Sequence, residues 1–553
     1  MIKKLFQQRW LIGLIFVLTV LATKPYLTTG FPYTHDGENH LARFANYKIA
    51  VREGQIPPRW APNLMNHYGY PVLNYVYPLA NLLSLPFSLM KFYYGLTFKI
   101  LASLSIAFGL VGLWQWLTEW QLKNSAKVFS LLAYVVSPYL VNLVYFRGNI
   151  GELMALNLLI WLFYWAERLV QNKQLNFTDQ LFGLLTWTGF LLAHNIAVLF
   201  GTPLVIAYLL LRLQLTAQLN INKIKQFGCW LVGAILLTLW FWLPALAEKE
   251  QIILDQAQSF LSYQDHFVSL PQLLFSPLSF GFSYIGRVDS LSFSLGVVLV
   301  VSLGLTGLYL VKQLFLGKLN TFILLNWLAC LLLIALQLSF TRPIWQLLPV
   351  LAYIQFPWRL TLFATVLSLP LIAMIFQQTQ QLGRFMLVGF LLVQLIGLLK
   401  LQPVDYFQRT NLDYDAFAQS TATLNEYTPK GFSYIDFSDW QPTAKLLTGE
   451  GKIDTQFWSG SQRKYQLNLA TEAVIVEPTM NFLGWQTQAN GQRVNYLNND
   501  QVQGRLAYQL PAGEYQVITR FTQQTWPRLL GNLVSGFTVG VLVYWLVKKF
   551  IRK

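Results

Sequence analysis

Trp10-Leu11-Ile12-Gly13-Leu14-Ile15-Phe16-Val17-Leu18-Thr19-Val20-Leu21-Ala22, followed shortly by His35-Asp36-Gly37-Glu38-Asn39-His40, decides how this chain reads. The first stretch is apolar and is preceded by Lys3, Lys4 and Arg9; no small-x-small cleavage site follows it, so it reads as a retained helix. Comparable runs recur to about Lys400, and a bilayer needs about 17 to 25 such residues per helix. Of the 553 residues, 54% are apolar and 12% charged, with a mean hydropathy of +0.42. The second stretch sets acid, imidazole and amide groups beside lipid, where they cost free energy unless water, a partner or a substrate meets them.

Working outward, spans are expected at 9–24, 96–118, 128–146, 151–169, 178–194, 196–213, 227–247, 291–312, 320–339, 358–377, 384–402 and 529–548. The fold class is therefore a polytopic α-helical membrane protein with about twelve spans. Basic loop residues test the register. With the N-terminus inside, Lys123 and Lys127, Arg168 and Lys173, Arg212, Lys223 and Lys225, Lys312 and Lys318, Arg384 and the Lys548–Lys553 tail all fall on the cytoplasmic side. Counting 72–92 as another span would invert the later loops, so it reads as a re-entrant or interfacial helix broken by Pro78 and Pro86. Both termini are expected to be cytoplasmic.

The net charge of +16 sits in short clusters beside apolar runs, as loops at anionic headgroups require, and no basic stripe interleaved with aromatics points to nucleic acid. Cys229 and Cys330 lie in apolar stretches without metal spacing. Past Pro403 the hydropathy drops. Lys464–Leu469, Glu472–Glu477 and Glu514–Phe521 read as strands, and Asn490-Gly491 as a hairpin turn. Three regions follow: a transmembrane part over 1–402 with a large first external loop at 25–95, an external β-rich domain over 403–528, and a last span with a basic tail over 529–553.

The loops sent outside hold the unusual polar motifs. A helix from His35 to Glu53 would put Asp36, His40, Arg43 and Tyr47 on one face, at spacings of four, three and four, and would leave Glu38 elsewhere. That geometry favours a single base at Asp36. An extended start would instead let Asp36 and Glu38 share a hard divalent ion, Mg or Mn, with His35 beside them. No HExxH or structural zinc spacing is present. The bland alternative is a solvated face on an interfacial helix.

Arg59 and Trp60, then Tyr68 and Tyr70, offer rigid aromatic walls suited to sugar rings or a lipid groove; interfacial anchoring is the plainer reading. Arg147 with Gly148 offers a bidentate phosphate contact that Glu152 would orient, or else a simple pair joining two helices. Arg359 is a second cation for a phosphate, with snorkelling as its alternative. His194 and Asn195 mark another outer turn lining the same groove, or a structural histidine.

The order of these motifs resembles the bacterial membrane family named 6-pyruvoyl-tetrahydropterin-synthase-related, itself similar to the GT-C glycosyltransferases. The resemblance rests on His35-Asp36-Gly37 with His40 and Arg43, Pro58-Arg59-Trp60, Tyr68-Gly69-Tyr70-Pro71, Arg147-Gly148 with Glu152, and His194-Asn195. Phe241-Trp242-Leu243-Pro244-Ala245 with Glu248, Phe356-Pro357-Trp358-Arg359, Gly484-Trp485 and Gly513-Glu514-Tyr515 extend it over nearly the whole chain. It implies a membrane-lipid environment and transfer of a sugar from a polyprenyl-phosphate donor to a glycan, lipid or protein acceptor at the outer face. Asp36 is then the base, His40 and Arg43 its neighbours, and a divalent cation an optional cofactor. A non-catalytic protein that binds or flips lipid-linked glycans, or assembles envelope, is the alternative.

Overall fold

The structure, a computed structural model, describes residues 9–171, 175–255, 262–284, 289–433 and 440–551. Lys3, Lys4, Lys173, Arg552 and Lys553, which entered the loop-charge argument, lie outside these. Among the described residues, nine helices are long and apolar enough to cross a membrane. They are Tyr94–Glu119, Asn124–Arg147, Ile150–Gln171, Asn195–Leu215, Ile221–Gln251, Val297–Phe315, Pro357–Gln378, Gln381–Lys400 and Trp526–Lys549. The other three expected spans are also helical but shorter: Arg9–Ala22, Phe177–Ala193 and Thr321–Ala335. At ~1.5 Å per residue the last covers only ~22 Å of a ~30 Å hydrocarbon core.

Two spans depart from an unbroken helix. Within Asn124–Arg147 the α-helix stops at Val135, Ser137 turns extended (ψ 132), and Pro138 opens a new turn leading into a π-helical segment, Leu143–Arg147. Proline disfavours helical backbone at the preceding residue and brings no N–H, so the break sits where the sequence requires it. The span expected at 291–312 begins only at Val297, after Gly296 at φ 83. In 72–92 the helix is Leu79–Leu89; Pro78 starts it and Pro86 lies within it rather than breaking it.

The chain forms two units that interleave along the sequence, in contrast to the consecutive ranges 1–402, 403–528 and 529–553. The first comprises Met1–Glu38, Phe98–Ala234 and Leu261–Gln408. Its centre is Asn124–Arg147, Ile150–Gln171 and Pro357–Gln378, almost wholly enclosed by protein, whereas Gln381–Lys400 turns most of its surface outward. A short pairing of β1 (Phe31–Pro32) with β2 (Tyr406–Phe407) closes the stretch before Asp36 onto the end of this unit.

The second unit comprises Asn39–Thr97, Ile235–Phe260 and Arg409–Lys553. It holds a β-sandwich of strands β3 (Lys445–Thr448), β4 (Gly451–Trp458), β5 (Gln462–Leu469), β6 (Ala473–Met480), β7 (Trp485–Ala489), β8 (Gln492–Arg493), β9 (Arg505–Leu510) and β10 (Gly513–Phe521). One antiparallel sheet runs β4-β5-β10-β7-β8 and the other β3-β6-β9. Alternate residues of β5, Arg463, Tyr465, Leu467 and Leu469, turn inward as the pleat demands, and the last three share a core with Ile475, Tyr508 and Val517. The strands read from the sequence are β5, β6 and β10. Asn490-Gly491, at φ 50 and φ 79, joins β7 to β8 as the hairpin turn.

Candidate functional site

The helix begins at Gly37, one residue after Asp36. Asp36 therefore stands ahead of the helix instead of sharing a face with His40, Arg43 and Tyr47, because Thr34 Oγ1 accepts the Gly37 N–H at 3.2 Å and ends the extended stretch there. The loop is set by backbone. His35 N donates to Phe146 O (3.0 Å) and Asp36 N to Arg147 O (2.8 Å). Gly148 permits this approach: it holds φ 60, and a Cβ there would meet Thr34 Oγ1 at 2.2 Å. The His-Asp-Gly and Arg-Gly-Asn motifs, 112 residues apart from His35 to Arg147, thus interlock in one unit.

Asn149 links that loop to the following helix. Its Oδ1 accepts the Glu152 N–H at 2.9 Å, as an N-cap does, while its Nδ2 donates to Asp36 Oδ2 at 3.1 Å. Among the described residues no other side chain bonds to the half-buried Asp36 carboxylate. Asn149 was not singled out from the sequence, although an Asn three residues ahead of a Glu is a capping signature.

Arg147 is committed elsewhere. Its terminal nitrogens donate to the two Glu152 oxygens at 2.7 and 2.6 Å, Tyr139 also donates to Glu152, and the guanidinium lies 5.0 Å from the Trp358 ring. With its fork occupied, the phosphate role expected for Arg147 gives way to the alternative, an ion pair tying two helices together. His194 completes this cluster. Its Nδ1 accepts from Ala197 N, which leaves the proton on Nε2, 3.9 Å from Glu152. Burial pushes its pKa down to about 3 even though Glu152 opposes the shift, so the imidazole is neutral. Asn195 opens the next helix beside it.

Arg359 differs. Nη1 donates to Ile354 O (3.2 Å) and Gln355 Oε1 (3.1 Å), the guanidinium lies 4.9 Å from Phe356, and Nε has no partner among the described residues. No carboxylate among them comes within ion-pair distance of it. Arg147 and Glu152 pair with one another, and the charges of Asp36 and Arg359 act on one another in the same unit.

The His35 ring stacks on Phe282 (4.7 Å) and leans on Phe280 (4.8 Å), and burial lowers its pKa, opposed by Asp36. Among the described residues no three His, Cys, Asp or Glu side chains converge as a metal site.

The second unit holds the remaining candidates. Buried Arg43 donates to Thr421 Oγ1 (3.2 Å) and to Thr421 O, and His40 lies 6.1 Å from the Tyr77 ring. Arg59 is buried and donates to Gln523, Asn74, Trp240 O and Asn532. Trp60 is wholly buried against Phe482, Trp485 and Phe521, and Tyr70 OH accepts from Tyr427 N. Tyr68 is buried as well. The groove expected of Arg59, Trp60, Tyr68 and Tyr70 is therefore corrected: their faces are spent on packing. Glu248 accepts from Arg528, Asn74 and Thr525 in the same unit.

A family model described as 6-pyruvoyl-tetrahydropterin synthase related domain, membrane protein, matches residues 73–405. An uncharacterized protein of Lactococcus lactis subsp. cremoris (strain MG1363) is 27% identical over 257 residues, which is 44% of this chain and 41% of that protein. The arabinofuranosyltransferase AftD from Mycobacteria aligns with a TM-score of 0.43 and 17% identity, over 71% of this chain and 26% of its own. The chain thus spans well under half the length of either relative.

Proposed function

The chain belongs to the 6-pyruvoyl-tetrahydropterin synthase related family of membrane proteins, and on that footing we propose that it is a GT-C-type glycosyltransferase. It would take a sugar from a polyprenyl-phosphate donor and place it on a glycan, lipid or protein acceptor at the outer face of a bacterial plasma membrane. The observation that carries this reading is a pair of groups: a half-buried Asp36 carboxylate with one amide on it, and an Arg359 guanidinium with no carboxylate partner among the described residues.

In this reading Asp36 takes the proton of the acceptor hydroxyl as that oxygen attacks the anomeric carbon. The bond from that carbon to the lipid phosphate breaks, and the departing phosphate carries its negative charge toward Arg359, where little water competes. Asn149 holds the carboxylate in position, and the Arg147–Glu152–Tyr139 cluster keeps the loop beneath it rigid. No step is assigned to His40, Arg43 or a metal.

Reconstitution with a radiolabelled polyprenyl-phosphate sugar tests it. A new glycosidic bond is the expected result, lost in Asp36→Asn. Movement of the lipid across the bilayer with no bond formed would replace the transferase with a carrier.

A further inference from the structure

The hairpin β7–β8 forms the edge of the five-stranded sheet, and beside it opens a cavity of about 300 Å³. Small-molecule sites begin at about this size. Trp485, Gln486, Arg493, Asn495, Tyr496 and Gln524 are among its lining residues. The hairpin is a fixed wall: Asn490 Oδ1 accepts from Gln516 N and its Nδ2 donates to Glu514 O, pinning the turn to β10.

The chemistry of that lining is specific. Primary amides both donate and accept, as paired sugar hydroxyls require, and aromatic faces take the apolar C–H side of a sugar ring. No acidic residue lines the cavity, which disfavours a cation or amine, and Arg493 as its one charged residue suits a neutral or uronate-bearing ring. Trp485 is 3% exposed, yet its indole N–H has no acceptor among the described residues. An unpaired buried donor is costly, and a ligand hydroxyl would relieve it. Tyr496 OH, by contrast, is bonded to Thr487, which is bonded in turn to Thr519.

We propose that the β-sandwich carries a saccharide-binding cleft between the β7–β8 hairpin and the segment around Gln524. This does not rest on the transferase reading. The test is binding of the full chain, in a detergent without a sugar headgroup, to an array of immobilised neutral and uronate-bearing oligosaccharides. Wild-type protein should bind a subset of the array. Asn495→Ala with Gln524→Ala, two exposed positions, should weaken binding at least tenfold with the melting temperature unchanged; Trp485→Phe should weaken it too. An array on which nothing binds, or binding unchanged in the double variant, overturns the proposal. Asp36→Asn should bind as wild type does, so loss or survival of sugar transfer in that variant bears on the transferase alone.

Discussion

Asp36 and Arg359 make no ion pair among the described residues, and they give the sharpest expectations. Asp36→Asn keeps the Asn149 contact within reach but removes the base, and should lower transfer by ~10²–10⁴-fold with the melting temperature unchanged. Full activity would remove Asp36 from the chemistry. Arg359→Gln should cost transfer ~10²–10³-fold with little loss of stability, since it breaks no ion pair among the described residues. Arg147→Gln should behave in the opposite way. It strands a buried Glu152, so stability should fall by ~3–5 kcal/mol in thermal melts. Equal behaviour of the two arginine variants would contradict the division of labour. Both arginines were visible in the sequence as cations near an outer turn. The Arg147–Glu152 pair was one of the readings spacing allowed; what spacing could not reveal is that no carboxylate among the described residues reaches Arg359.

Among the elements, the turn Phe146-Arg147-Gly148-Asn149 matters most, because it presents two carbonyls to the loop that bears Asp36. Gly148→Ala would both strain a left-handed backbone and push a methyl group onto Thr34. Transfer should fall at least tenfold, with protein still made and inserted; unchanged transfer would show that this turn does not hold the loop that bears Asp36. The helical spacing read from the sequence set Asp36 inside the helix. Helical spacing is a local rule, and the start of the helix was decided by a hydrogen bond from Gly37 to Thr34 and by the pairing of residues 35 and 36 with Phe146 and Arg147.

At the scale of the whole molecule, acid should destabilise the protein. His194 ordinarily titrates near 6.5 and is held at about 3 by burial. Below about pH 6.5 the unfolded chain takes a proton that the folded chain refuses, so stability falls as pH drops from there toward 3, by ~1.4 kcal/mol per pH unit. His35 is shifted in the same direction and adds to the slope. His194→Asn retains a capping residue and should flatten the curve; melting temperatures from pH 7 to 5 would show it, and a flat wild-type curve would refute a neutral His194.

By itself the sequence determined that this is a polytopic helical membrane protein with a β domain near the C-terminus, because apolar length and period-two strands are local properties that survive any packing. It also marked Asp36, Arg147, Glu152 and Arg359 as residues worth their cost. Only the tertiary structure decided what each does. Trp60 and Tyr70 looked like a sugar platform and are buried packing, while Trp485 is a buried donor at the wall of a cavity. Whether an arginine is a ligand or half of an ion pair depends on which carboxylate folding brings within 3 Å of it, and chain spacing carries that information only for neighbours as near as Arg147 and Glu152.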